Sequence, residues 1–190
     1  MMSLEQRIKD GTMIQQYGLE ESDFRGYRFA GSAKMLKGNN DMLNITRPDV
    51  IEDIHDKYLR AGADIITTNT FSSQRVSEAD YGLEQFSREM ALLGARIARR
   101  CADKFSTPEW PRYVCGSIGP TNKTCSMSPD VNDPAARDLT YDELFDAYTE
   151  QIDALVVGGV DALLIETIFD TLNAKVAIDA AVTVMQRRSV

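Results

Sequence analysis

The stretch LVVGGVDALLIETIFD, residues 155–170, decides the expected fold of this chain. A glycine pair and an aspartate precede a short apolar run, which ends in Glu166 and Thr167. Short apolar runs bounded by turn signals are typical of strands buried on both faces of a parallel sheet. We therefore predict a strand over 161–167 that ends in a carboxylate.

The same pattern occurs earlier in the chain, as GADIITTNT at residues 62–70. It predicts a second strand over 64–70, which ends with Asn69 and Thr70. Parallel sheets bind ligands at the carboxyl ends of their strands. Asn69 and Glu166, each followed by a threonine, are therefore the first candidates for a binding site.

Helical spacing of apolar residues separates these strands. It predicts helices over 46–62 and 87–105, with a further strand over 112–118. A third helix is expected to begin at a capping box formed by Thr140 and Glu143. A fourth is expected to be capped by Thr171 or Asn173 and to continue to the end. Residues 12–47 are expected to form a long irregular segment. This alternation of strands and helices indicates βαβ units and a parallel sheet, either an open doubly wound sheet or a barrel.

Composition limits the function. The chain has 190 residues, 43% of them hydrophobic, and a net charge of −8 without a basic cluster, which argues against nucleic acid as a partner. No apolar run is long enough for a secretory signal or a membrane span. We expect one domain, 1–190, in the cytoplasm and not in a membrane.

Several residues that could carry chemistry have simpler interpretations. Cys101, Cys115 and Cys125 contain no C-x-x-C pair, so free thiols are expected, with Cys101 in the core. His55 stands between two aspartates on a helix, away from the apolar stripe that we expect to run through Ile54 and Tyr58, and we interpret it as a solvated residue. The turn after the strand over 112–118 reads GPTN, which could hold an anionic group through backbone N–H groups or be an ordinary turn.

Four blocks of the sequence carry a resemblance to a known family. LKGNNDMLNITRPDVIEDIH (36–55), AGADIITTNTF (61–71), GSIGPTNKTCSMSPDVNDPAARDLTYDEL (116–144) and GGVDALLIETIFDTLNAKVAI (158–178) are similar to the N-terminal homocysteine-binding module of the cobalamin-dependent methionine synthases, members of the homocysteine S-methyltransferase family. The first and third blocks favour these enzymes over the betaine-dependent homocysteine methyltransferases.

The resemblance implies a (β/α)8 barrel in which zinc, held by three cysteines, binds the homocysteine thiol for methylation by methylcobalamin. It implies that Glu166 pairs with the substrate ammonium and that the backbone near Ser117 and Gly119 lies close to the substrate. Asp10 matches the family's substrate-binding aspartate, although three residues of the surrounding turn are missing here. The expected partners are homocysteine, the remaining half of the barrel, and cobalamin and folate modules.

Two departures from the family shape the expectation. The apolar first strand before Asp10 is weakened, and the chain corresponds to about the first four β/α units, roughly half of a barrel. The family's zinc ligands belong to the other half and match none of the cysteines here. We therefore expect a partial TIM barrel that binds the amino-acid end of homocysteine, is incomplete for catalysis, and associates through its unpaired strands.

Two alternatives remain from the sequence. One is a non-catalytic half-barrel that binds an amino acid or a protein and is inactive on its own. The other is an unrelated α/β enzyme with Glu166 as general base, for which the sequence offers no partner residue.

Overall fold

The structure is a computed structural model that describes residues 15–189. Its strands are β1 (Ile65–Thr67), β2 (Tyr113–Ile118) and β3 (Ala162–Ile165). Its α-helices are α1 (Glu21–Arg25), α2 (Leu43–Thr46), α3 (Pro48–Arg60), α4 (Arg75–Glu78), α5 (Ser87–Phe105), α6 (Tyr141–Gly158) and α7 (Thr171–Arg188). Single 3-10 turns cover Gln15–Tyr17, Asn40–Met42, Ala79–Tyr81 and Glu84–Phe86.

The three strands form one parallel sheet in the order β1-β2-β3. Thr67 pairs with Cys115, and Cys115 pairs in turn with Ala162. The predicted parallel arrangement is confirmed for the described residues, and the strands are shorter than the sequence suggested. The weakened first strand expected before Asp10 lies outside the described residues.

One face of the sheet is covered by helices and the other is open. Ile66 and Val114 point toward the helices and are 4% and 0% exposed. On the opposite face Ile65, Tyr113 and Leu164 are 56%, 47% and 37% exposed. In a closed barrel such residues would fill the interior, so we name Ile65, Thr67, Tyr113, Cys115, Ala162 and Leu164 the inner face.

The long helices follow the predicted apolar spacing. Helix α6 begins with the expected capping box, in which Thr140 accepts a hydrogen bond from the Glu143 backbone and the Glu143 carboxylate accepts one from the Thr140 backbone. Its four apolar positions, Leu144, Tyr148, Ile152 and Leu155, are fully buried. They belong to the core beneath β2 and β3, which α7 completes with residues such as Val176 and Val184.

The predicted environment of His55 is wrong. His55 is 5% exposed, and burial lowers its pKa from 6.5 to about 4. The buried stripe of α3 runs through Ile51, His55 and Leu59, whereas Tyr58, expected on that stripe, is 50% exposed. The contact with α5 selects this face, because Lys104 of α5 reaches the buried Asp56 beside His55 with an Nζ to Oδ2 distance of 2.6 Å.

Two further expectations need correction. The segment over 12–47 is not irregular in its described part, because short helices and 3-10 turns occupy much of it. The cap of α7 is neither Thr171 nor Asn173 but Asp170, whose carboxylate accepts the N–H groups of Leu172 and Asn173 at 2.8 and 3.3 Å. Asn173 is instead buried and accepts the Cys125 N–H at 2.9 Å.

Candidate functional site

Glu166 and Ser117 meet at the carboxyl end of the sheet. The Ser117 hydroxyl donates to Glu166 Oε1 at 2.6 Å. Glu166 follows β3 directly, and its backbone N–H extends the ladder to the Ile118 carbonyl at 3.0 Å. Ser117 is buried and Glu166 is half-buried, so the carboxylate is fixed on one side and open on the other.

A buried polar network lies behind this pair. Thr68 Oγ1 accepts the Ser117 N–H at 2.9 Å, and Thr70 Oγ1 donates to the Ser117 carbonyl at 2.8 Å. The two threonine hydroxyls are 2.6 Å apart. Gln151 of α6 donates from Nε2 to the Thr70 carbonyl at 2.6 Å. The sequence predicted Thr70 and Ser117 as site residues but gave no signal for Thr68 and Gln151. The register between β1 and β2 brings Thr68 to Ser117, and the packing of α6 brings Gln151 to Thr70.

The Thr70 hydroxyl and both backbone polar groups of Gly119 are already used within the fold. Thr70 is 0% exposed, and its hydroxyl is used within the network. The Gly119 N–H donates to the Phe71 carbonyl at 3.0 Å, and its carbonyl accepts the Tyr148 hydroxyl at 3.1 Å. A Cβ at Gly119 would lie 2.6 Å from the Phe71 oxygen, so glycine is required for this close approach.

Thr167 continues directly from Glu166 and has an unusual backbone. Its φ is +60°, in the left-handed region that a β-branched residue rarely adopts. Strain of this kind is kept only where surrounding structure imposes it, and it occurs preferentially at functional sites. The Thr167 side chain is exposed, so its packing does not impose this conformation. The left-handed turn is therefore a feature of the backbone, which also carries Glu166.

Asn69 lies in a different place from Glu166. Its amide donates to the Asn40 carbonyl at 2.8 Å and to Asn44 Oδ1 at 3.2 Å. It lines a cleft of about 540 Å³ whose walls include Asn40, Asp41, Phe71, Glu78, Asp80 and Asn122, and Glu166 is not among them. The strand-end pattern suggested both residues, and each is hydrogen-bonded to different neighbours: Asn69 to Asn40 and Asn44, and Glu166 to Ser117.

The cleft contains two buried acids that no pattern in the sequence predicts. Glu78 is 1% exposed, and burial together with the charge of Asp41 raises its pKa to about 8. Burial raises the pKa of Asp41 to about 6, although Ser73 and the Ser72 N–H donate to its carboxylate at 2.8 and 2.7 Å. Asn39 donates to Glu78 at 2.6 Å, so these groups form a linked polar cluster.

The cysteines do not form a metal site. Cys101 is buried in α5, Cys115 is half-buried on β2, and Cys125 is buried in the following loop. Burial raises the pKa of each thiol, to about 12 for Cys101, which opposes the thiolate form that zinc requires. Within 15–189 no group of three or more histidine, cysteine or acidic side chains could hold a metal. The described residues therefore do not fit the family's zinc, and Asp10 lies outside them.

The parallel sheet, its covering helices and the polar residues at its carboxyl edge define a partial α/β barrel protein. The family model described as Homocysteine S-methyltransferase matches residues 10–188. The chain belongs to this family.

Solved structures with the same fold are crystal structures of the homocysteine methyltransferase MmuM from Escherichia coli. The metallated form is 19% identical, with 94% of this chain and 58% of that chain covered and a TM-score of 0.62. The oxidized form is 18% identical, with 92% and 55% covered and a TM-score of 0.64. These likenesses confirm a partial TIM barrel, and the chain spans little more than half the length of either solved chain.

No helix within the described range 15–189 is long and apolar enough to cross a membrane.

Proposed function

We propose that this chain provides the amino-acid-binding part of a homocysteine site, in which Glu166 accepts hydrogen bonds from the substrate ammonium. The observation that carries the proposal is the hydrogen bonding of the two Glu166 carboxylate oxygens. Ser117 occupies Glu166 Oε1, and within 15–189 no hydrogen bond reaches Oε2. A carboxylate oxygen left available at the carboxyl edge of the sheet is suited to a charge-assisted bond with an ammonium group.

The proposal assigns distinct roles to the other candidate residues. Ser117 orients the Glu166 carboxylate, and Thr167 sets the direction of the backbone that carries it. Thr70 supports Ser117 from within the sheet and does not contact the ligand. Gly119 allows the Phe71 backbone to approach. Asn69 holds the loop at 40–44 in place. Asp10 is assigned to substrate binding only because it matches the family's substrate-binding aspartate.

The chemistry of the sulfur is outside this proposal. The cysteines of the described residues do not fit zinc, so no step that activates the thiol is assigned to them. The chain is then a substrate-binding portion of a transferase. Methyl transfer would depend on residues that the family supplies from the rest of its barrel.

Titration calorimetry tests the role of Glu166. We expect the chain to bind homocysteine in preference to 4-mercaptobutanoate, which has the same thiol and carboxylate but no ammonium. Glu166→Gln should abolish this preference, because it removes the charge and retains the shape. Glu109→Gln is the matched control, since Glu109 is exposed in the turn that precedes β2, at the opposite end of the strand from Ser117. A Glu166→Gln variant that still prefers homocysteine as strongly as the unaltered chain would contradict the proposal.

Within the family, we propose the cobalamin-dependent methionine synthases as the parent enzymes, with homocysteine, cobalamin and folate modules as partners of the complete protein in the cytoplasm. The support is the sequence of two blocks, LKGNND at 36–41 and SPDVNDP at 128–134. Sequencing of the transcript tests the assignment. A continuing barrel followed by a cobalamin-binding module is expected, and a reading frame without such a module would contradict it.

The second candidate is a non-catalytic amino-acid-binding module. The mismatch between the cysteines and zinc favours it. The affinity for homocysteine, measured by titration calorimetry, separates the two candidates, and neither is expected to respond to equimolar zinc. A methyltransferase portion that relies on residues elsewhere should bind weakly, with no gain from zinc, whereas a dedicated module should show saturable binding in the micromolar range that zinc does not alter.

A further inference from the structure

The backbone of Ser117 is held at both of its polar groups by a closed ring of hydrogen bonds. A hydroxyl has one proton to donate, and Thr70 gives its proton to the Ser117 carbonyl at 2.8 Å. The contact of 2.6 Å between the hydroxyls therefore runs from Thr68 to Thr70. Thr68 then accepts the Ser117 N–H at 2.9 Å, which closes the ring.

The ring is inaccessible to water. Thr68, Thr70 and Ser117 are 5%, 0% and 3% exposed. Buried hydrogen bonds that run head to tail strengthen one another, and a missing partner leaves a costly unsatisfied group. The ring therefore fixes the end of β2 against the residues that follow β1.

Gln151 connects this ring to helix α6. Its side chain is 1% exposed, and Nε2 donates to the Thr70 carbonyl at 2.6 Å and contacts the Ser117 carbonyl at 3.5 Å. Helix α6 also leads directly into β3, which ends at Glu166. One helix thus holds the ends of β1 and β2 in register with the strand that presents the carboxylate.

We propose that Thr68, Thr70 and Gln151 are positioning residues that act through Ser117 to orient Glu166 toward an ammonium ligand. This inference rests on the function proposed above. The Ser117 hydroxyl can reach Glu166 Oε1 only while its backbone is fixed, and it leaves Oε2 directed at the ligand. Without the ring, the Glu166 side chain regains rotational freedom that binding must then remove.

Substitutions that break the ring without changing its shape provide the test. Thr68→Val replaces the hydroxyl by a methyl group, Thr68→Ser keeps the hydroxyl, and Thr67→Val is the control one residue earlier on the exposed inner face. Calorimetry with homocysteine and with 4-mercaptobutanoate gives a selectivity ratio for each variant. Thr68→Val breaks the ring, and Ser117→Ala removes the hydroxyl that contacts Glu166. We expect each to weaken homocysteine binding about three- to ten-fold, with little change for the analogue.

The two ligands separate positioning from general loss of structure. A variant that only loosens the fold would lower its melting temperature and weaken both ligands alike, which would overturn the inference. Rescue of selectivity by Thr68→Ser supports it. If Glu166→Gln removes the preference for homocysteine and Thr68→Val does not, the positioning role fails while the proposed function stands. If Glu166→Gln has no effect, the proposed function fails first.

Discussion

Ile65 and Ile66 are adjacent on β1, yet 56% of Ile65 is exposed and only 4% of Ile66. Successive side chains of a strand point to opposite faces of the sheet, so this pair reports which face is covered. Ile66 packs in the core with residues of α3 and α5. Ile65 lies on the inner face, which other parts of a complete barrel would fill.

Alanine substitutions at these two positions should therefore differ strongly. Ile66→Ala leaves a cavity in a packed core and should lower the free energy of unfolding by about 2–5 kcal/mol. Ile65→Ala removes a half-exposed side chain and should cost less than about 1 kcal/mol. Urea denaturation measures both. Equal losses would mean that something covers the inner face in solution.

The sequence predicted the helices better than the polar network, for a physical reason. The spacing of Leu144, Tyr148 and Ile152, together with the capping box, is local information, and all three side chains are buried as expected. The ring around Ser117 depends instead on the register between Thr68 and a residue 49 positions away. Nothing in either local sequence specifies that register.

The error at His55 shows a second limit. Hydropathy favoured a stripe through Tyr58, whereas packing against α5 buried His55 and Asp56 on the neighbouring face. Lys104 compensates the Asp56 charge at 2.6 Å, which makes burial of this polar pair tolerable. Such pairing between two helices becomes visible only in three dimensions. The candidate site at Glu166 could be predicted from the sequence because its signal, an acid at a strand end, is local.

Asp170 should be more important for the loop after β2 than a helix cap alone. Its carboxylate accepts the Ser126 hydroxyl and N–H at 2.6 and 3.1 Å in addition to the two N–H groups of α7. We expect Asp170→Ala to lower the free energy of unfolding by about 1–3 kcal/mol, and Thr171→Ala by less than about 0.5 kcal/mol. Limited proteolysis within 121–139 should accelerate in the Asp170 variant only. An unchanged cleavage rate would show that the loop is anchored elsewhere.

The raised pKa of Glu78 predicts a dependence of stability on pH. Glu78 has an ordinary pKa of 4.5 when unfolded and a pKa of about 8 in the fold, where burial is the main cause. Between these values the folded state binds more protons, so stability falls as pH rises toward 8. Asp41, with a pKa of about 6, and His55, with an unfolded pKa of 6.5, complete most of their changes below about pH 7.

Glu78 therefore contributes most of the pH dependence in the window from pH 7 to 8. Thermal unfolding should show a melting temperature that declines across this window, and Glu78→Gln should flatten the decline because the amide stays neutral. Glu109→Gln is the matched control, because Glu109 is an exposed acid whose charge is not among the causes of the Glu78 shift. A slope that persists in the Glu78→Gln variant would assign the pH dependence to another group.

Cys115 should be the first thiol of this protein to react with iodoacetamide. It lies half-buried on the inner face of β2, whereas Cys101 and Cys125 are buried in the cores. Burial, aided by the charge of Asp161, raises the Cys115 pKa, so its alkylation should be slower than that of free cysteine and should accelerate toward pH 9. Cys101, with a pKa raised to about 12, should react only after unfolding. Mass spectrometry of peptides, with Cys115→Ser as the control, resolves the order. Added zinc should protect none of the three, because no group of three or more histidine, cysteine or acidic side chains within 15–189 could hold a metal ion. Equal protection of all three thiols would contradict this expectation.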